Sequence, residues 1–208
     1  MPSLGRLHLI TDTRPGRDPL AVLRAALPVA RAELVVQVRV EDDATDRQAY
    51  DLARRVVALC APYRATCLVN DRLHVALAVG AAGGHVGADD LPVGAARRVL
   101  GSTAVLGATA REPLAAAEAA AAGASYLGVG PCHATSTKRG LPAPVGPDGV
   151  RAVADSVAVP VIAIGGVTAA SVPTLRAAGA YGVAVVGALS GAVDPGRATA
   201  ELLGALTC

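Results

Sequence analysis

The chain has 208 residues, 52% of them hydrophobic, and a formal net charge of +2. That length suits one domain spanning residues 1–208, and so small a charge, scattered without a basic stripe or interleaved aromatics, excludes a nucleic-acid surface. Asp, Arg or Gly interrupts every apolar run short of the roughly 18 residues of a membrane span, and MPSLGRLHLIT enters a strand-like run at once, leaving no room for a targeting peptide.

Short apolar or β-branched runs alternate along the chain with longer alanine-rich, arginine-studded stretches of helical period. The runs predict strands at 7–11, 34–39, 65–70, 84–87, 104–109, 126–130, 159–165 and 182–187. Helices are predicted near 18–31, 46–60, 72–80, 92–100, 112–122, 147–156, 168–178 and 195–205, with Gly123 and Gly179 as stops and Pro147-Asp148 and Asp194-Pro195 as starts. Continuous apolar strands must be covered on both faces, so the pattern predicts an α/β chain folded as a (β/α)8 TIM barrel. Four Tyr, no Phe and no Trp give a core of small and branched side chains, in keeping with that fold. An open doubly wound sheet is the alternative, because periodicity does not show closure, and GHVG at strand four is the weakest of the series.

Barrel sites are built at the carboxyl ends of strands. At strand two, alternation sends Gln37 and Arg39 in one direction, an amide and a guanidinium aimed together at the mouth. Asn70 and Asp71 end strand three, and Asp89 and Asp90 follow strand four; Asp71 and Asp90 could share a Mg2+ that keeps water and binds substrate phosphates, or could cap the helices behind them. Thr109 adds a hydroxyl at strand five.

Strand six leads into the longest irregular stretch, 131–146, which carries Thr135, Ser136, Thr137 and Lys138. Lys138 is the sole lysine among 19 Lys and Arg residues, a point charge in a chain that otherwise writes the planar arginine fork. Glycines at Gly165-Gly166 and Gly187 would let backbone N–H groups form a phosphate cup after strands seven and eight, with Val186 at its edge. Two anionic groups are implied, one near strands two to five and one near strands six to eight. His74, His85 and His133 match no zinc spacing and His8 lies near the start of strand one, so all four are read as structural. Cys60, Cys67, Cys132 and Cys208 form no CxxC pair and are read as reduced cytosolic thiols, Cys132 as buried filler.

These motifs resemble, in order and spacing, those of the thiamine phosphate synthase and thiazole tautomerase superfamily: LITD at 9–12, QVR at 37–39, VND at 69–71, HVGADD at 85–90, GVGPCHATSTK at 128–138, AIGGV at 163–167 and GVAVVGALS at 182–190. The synthase branch is the closer. The resemblance implies a (β/α)8 barrel that joins hydroxymethylpyrimidine diphosphate to a thiazole phosphate and releases diphosphate. The diphosphate leaves first, and the thiazole nitrogen captures the resulting cation without a protein nucleophile. It further implies Mg2+ on Asp71 and Asp90, with Gln37, Arg39, Asn70, Thr109 and Lys138 around the pyrimidine diphosphate, Arg39 and Lys138 stabilising the departing charge. Thr135, Ser136, Thr137, Gly166, Val186 and Gly187 would hold the thiazole phosphate. A cytoplasmic enzyme acting on small phosphorylated substrates is expected, with homo-oligomerisation left open.

The chain departs from that pattern at several positions. Glu41 stands where the family carries a lysine after Q-x-R, Ala88 replaces Gln, Thr109 replaces Ser, Arg111 replaces His and Gly187 replaces Ser. Glu41 is a charge reversal beside a diphosphate site. A divergent paralogue that has lost synthase activity, tautomerase-like or merely binding a thiazole phosphate, is therefore the alternative. Arg111 argues against the tautomerase, whose ring isomerisation uses a histidine after strand five.

Overall fold

The computed structural model describes residues 4–137 and 140–207. Eight parallel strands close in sequence order into one barrel: β1 (Leu7–Ile10), β2 (Leu34–Val38), β3 (Thr66–Asn70), β4 (Gly83–Val86), β5 (Val105–Thr109), β6 (Tyr126–Val129), β7 (Val161–Ile164) and β8 (Gly182–Val185). Closure is made by β1 against β8, which pairs Leu7 with Val183 and Leu9 with Val185. The barrel replaces the open-sheet alternative, and the weak strand four takes its full place, hydrogen-bonded to β3 on one side and β5 on the other.

Helices follow the strands as α1 (Pro19–Ala30), α2 (Asp46–Cys60), α3 (Leu73–Val79), α4 (Val93–Leu100), α5 (Pro113–Ala121), α6 (Gly146–Ala154) and α7 (Val172–Ala177). A short helix, α8 (Gly187–Ser190), then precedes α9 (Pro195–Thr207); four residues carry no readable period, and the sequence does not announce it. Local chemistry starts several of the others. Asp18 accepts the N–H groups of Leu20 and Ala21 at 3.0 Å ahead of Pro19, and Thr45 with Gln48 closes a reciprocal capping box at α2.

Apolar burial falls into two bodies. One lies between strands and helices and includes Leu23, Leu27, Val56 and Leu175. The other fills the barrel with Ile10, Val35, Leu68, Tyr126, Ile162 and Ala184 and gives the mouth a floor. Cys60, Cys67 and Cys132 are buried without disulfides, and Cys208 lies outside the described residues. Among the described residues no helix is long and apolar enough to cross a membrane.

Arginine forks tie helix ends to the strands that follow. Arg97, in the last turn of α4, donates to Gly101 O (2.8 Å), Ala104 O (2.7 Å) and Gly123 O (2.7 Å from Nη2), and to Ser125 Oγ at 3.2 Å. Arg176 does the same for Ala180 O and Tyr181 O at 2.5 and 2.8 Å. A lysine has the charge but not the geometry for so many acceptors at once. Arg97→Ala is expected to lower unfolding free energy by about 2–4 kcal/mol, since it strips two part-buried carbonyls, Ala104 O and Gly123 O, of a donor. Arg97→Lys should recover less than half of that loss, with midpoints read from urea denaturation at unchanged slope.

Candidate active site

All eight strands and the loops beyond them open into one cavity of about 590 Å³ at their carboxyl ends. Of the residues expected there, Gln37, Arg39, Asn70, Asp71, Asp90 and Thr109 line the wall built by β2 to β5. Thr135, Ser136, Thr137, Gly166, Val186 and Gly187 line the facing wall, from β6 to β8. Lys138 lies outside the described residues.

The first wall is cross-linked. Gln37 Nε2 donates to Asn70 Oδ1 at 2.5 Å, and Thr11 Oγ1 donates to Arg39 O and accepts from Arg39 N at 2.6 and 2.8 Å, tying β1 to β2 at the mouth. The Arg39 guanidinium faces two carboxylates of its own loop, Asp42 Oδ1 at 3.3 Å and Glu41 Oε1 at 3.8 Å. Glu41 itself lines the cavity, so the departure from the family pattern sits inside the site.

Asp71 has a left-handed backbone, φ 60°, and its N–H donates to His85 O at 2.8 Å. Asp90 Oδ2 accepts from Gly87 N at 2.7 Å. Neither caps a helix: α3 follows Arg72 and α4 follows Pro92, in both cases without a side-chain cap. Among the described residues no group of three or more His, Cys, Asp and Glu is arranged to hold a metal. Two carboxylates and the neighbouring Asn70 amide nevertheless fit Mg2+, which takes one or two protein carboxylates and fills its octahedron with water and substrate oxygens. The same set does not fit zinc, which favours nitrogen and sulfur ligands in closed tetrahedra.

The second wall is held by its neck. Val145 N donates to Pro131 O at 2.8 Å across the base of the β6–α6 loop, while Cys132 N and His133 N donate to Ile164 O and Gly165 O of β7 and its end. Arg111 grips both sides of that loop, Nε on Gly130 O at 3.1 Å and Nη2 on Ala143 O at 2.7 Å. Thr135 and Thr137 present hydroxyl oxygens 3.1 Å apart. Cys132 is filler, as expected: burial pushes its thiol up to about 11.

Several residues of the site were not anticipated. Asp12, at the end of β1, accepts from Arg14 Nε and Nη2 at 2.8 Å each and from Ser190 Oγ at 2.7 Å, tying β1 to α8. With a side chain 2% exposed, it is held by the Arg14 hydrogen bonds down to about 2. His85 and Tyr126 also line the cavity, with His85 Nδ1 3.0 Å from Tyr126 Oη and Nε2 3.0 Å from Thr109 Oγ1. His8, although near the start of β1 and expected to be purely structural, lines the cavity; burial and then His85 lower it to about 3, so it is neutral. His74 is exposed beside Asp46 at 3.1 Å, outside the site. His133 does not line the cavity.

The family profile described as thiamine monophosphate synthase matches residues 7–189. A thiamine-phosphate synthase of Salinispora arenicola is 78% identical over 208 residues, covering 100% of both chains, and one of Salinispora tropica is 77% identical over 207 residues, again covering 100% of both. Among solved structures, a thiamine phosphate pyrophosphorylase from Pyrococcus furiosus superimposes with a TM-score of 0.86 at 32% identity, covering 97% of this chain and 95% of the other.

Two stability measurements check this geometry. A Cβ at Gly166 (φ +64°) would lie 2.7 Å from Ala134 O and 2.8 Å from His133 Cβ, whereas one at Gly187 would meet only Thr137 Cγ2 at 3.4 Å. Gly166→Ala should therefore destabilise by about 1–3 kcal/mol and Gly187→Ser by less than about 0.5 kcal/mol, read by thermal unfolding. Asp12 has a depressed pKa, so its contribution is present above the usual 3.8 and is lost as pH falls towards 2. Asp12→Asn is expected to be about 2 kcal/mol less stable at neutral pH, the gap to the parent closing between pH 4 and 2.

Proposed function

The chain belongs to the thiamine monophosphate synthase family, and from that premise we propose that it joins hydroxymethylpyrimidine diphosphate to a thiazole phosphate, giving thiamine phosphate and free diphosphate. It is a transferase. The observation that carries the reading is that two walls suited to anions face each other across one cavity, a carboxylate–arginine wall and a hydroxyl–backbone wall. Identity of 77–78% to thiamine-phosphate synthases along the whole chain supports the synthase over a divergent paralogue. Arg111, engaged with loop carbonyls where the tautomerase branch uses a histidine, supports it further.

The pyrimidine diphosphate lies against Gln37, Arg39, Asn70 and Thr109, and the thiazole phosphate against Thr135, Ser136, Thr137, Gly166, Val186 and Gly187. Held by Asp71 and Asp90, Mg2+ would neutralise the diphosphate and favour its departure. The bond between the pyrimidine methylene carbon and the diphosphate oxygen breaks, its electron pair leaving with the oxygen. The thiazole nitrogen then supplies the pair for the new carbon–nitrogen bond. No protein nucleophile is needed, and no cysteine among the described residues lines the cavity. Arg39 and Lys138 stabilise charge on the departing group, and the thiazole phosphate cup fixes the second substrate in line. The site acts on small phosphorylated molecules in a cytoplasmic setting.

Purified protein, both substrates and Mg2+ should yield thiamine phosphate and diphosphate; no product above background at high enzyme concentration overturns the reading. Lys138→Ala should lower kcat/KM by about 100-fold. Glu41 opposes the diphosphate and engages Arg39, so Glu41→Lys should lower the KM for the diphosphate substrate about 3–10-fold. An unchanged or raised value would remove Glu41 from the site.

A further inference from the structure

Across β3 to β6 the strand register sets Asn70 beside His85, His85 beside Gly107, and Gly107 beside Tyr126. The row faces inward, since Asn70, His85 and Tyr126 all line the cavity. Gly107 is the empty place in it: a Cβ there would collide with Tyr126 Cζ and Oη and with His85 Nδ1. The missing side chain lets His85 and Tyr126 meet across an intervening strand, Nδ1 to Oη at 3.0 Å. On its other edge the imidazole reaches Thr109 Oγ1, also at 3.0 Å.

The proton directions follow from what each buried atom can do. Tyr126 is 1% exposed, and burial holds its hydroxyl in the protonated form. Among the described residues that hydroxyl has no hydrogen-bond partner except His85 Nδ1. The neighbouring His8 ring packs edge-on at a centroid distance of 5.0 Å and directs its Nε2 to Gly5 O. A buried O–H without an acceptor is strongly disfavoured, so the Tyr126 proton points at Nδ1 and Nδ1 is bare. An imidazole whose Nδ1 is bare carries its one ring proton on Nε2, which donates to Thr109 Oγ1. With that lone pair engaged, the Thr109 proton turns away from the histidine, and Thr109 lines the cavity.

We propose that Tyr126 and His85 are positioning residues that orient the Thr109 hydroxyl, so that Thr109 presents a proton rather than a lone pair to an anionic oxygen of the bound ligand. The identity of that ligand as a diphosphate rests on the function proposed above; the direction of the proton does not. Reversing the relay would leave Nε2 bare to accept the Thr109 proton and turn a Thr109 lone pair towards an anion, so the tautomer has a binding consequence.

Nitrogen-15 NMR of the histidine rings in the intact protein tests the relay directly. His85 is expected as the Nε2–H tautomer with bare Nδ1, and an Nδ1–H tautomer overturns the proposal. Calorimetry with inorganic diphosphate and Mg2+ tests the consequence. Thr109→Val should weaken binding about tenfold, and Tyr126→Phe, which keeps the ring, should weaken it several-fold. The double variant should be no weaker than Thr109→Val alone, whereas independent, additive losses or an unchanged affinity for Thr109→Val overturn the proposal. His85→Gln, which can still place an N–H near Thr109, should retain more affinity than His85→Ala; equal losses overturn the proposal. An inactive parent enzyme in the two-substrate assay would sink the synthase reading while leaving the tautomer and diphosphate results to decide this one.

Discussion

Everything at the mouth depends on the closure of β1 onto β8. An open sheet of the same strands would have two edges and two distant ends; closure removes the edges and brings the end of β1 beside that of β8. That proximity lets Asp12 reach Ser190, so parts of the chain nearly 180 residues apart share one rim. Parallel strands also send all their carboxyl ends to the same side, which assembles one cavity from eight short segments.

The chain divides its cationic work by shape. Arginines carry the structural tasks, where several carbonyls or a carboxylate must be met in a plane: Arg97 and Arg176 behind strand starts, Arg111 around the β6–α6 loop, Arg14 on Asp12. A fork locked to backbone acceptors is immobile and partly spoken for. The single lysine stands in the loop that also carries the cavity threonines, which accords with a role that calls for a compact charge able to follow its ligand.

The architecture was legible because most strands are short, largely apolar runs and the longer helices between them have a period; all eight strand predictions fall on strands, with ends differing by a residue or two. Gln37 and Asn70 were legible from alternation and strand ends alone. His85 was not, because β4 is only four residues with two glycines, and its inward direction follows from its register with Asn70, which no local pattern encodes. Asp12 was visible only as part of a motif, since its partners Arg14 and Ser190 come from opposite ends of the chain. The capping alternative for Asp71 and Asp90 turned on helix starts at Leu73 and Val93, a matter of two or three residues that composition does not settle.

Arg39 illustrates how a resting site can differ from a vacant one. Its guanidinium is engaged by Glu41 and Asp42 from its own loop, and those carboxylates are present at a local concentration set by the chain rather than by the solution. An anion reaching Arg39 therefore takes part in an exchange, displacing tethered counterions instead of filling an empty field. The cost of displacing those counterions is common to every anion, so it lowers all affinities alike and leaves appreciable binding only where direct attraction exceeds it. On the function proposed above, the acidic loop beside Arg39 is therefore a threshold that the diphosphate, with its several charges, is suited to cross.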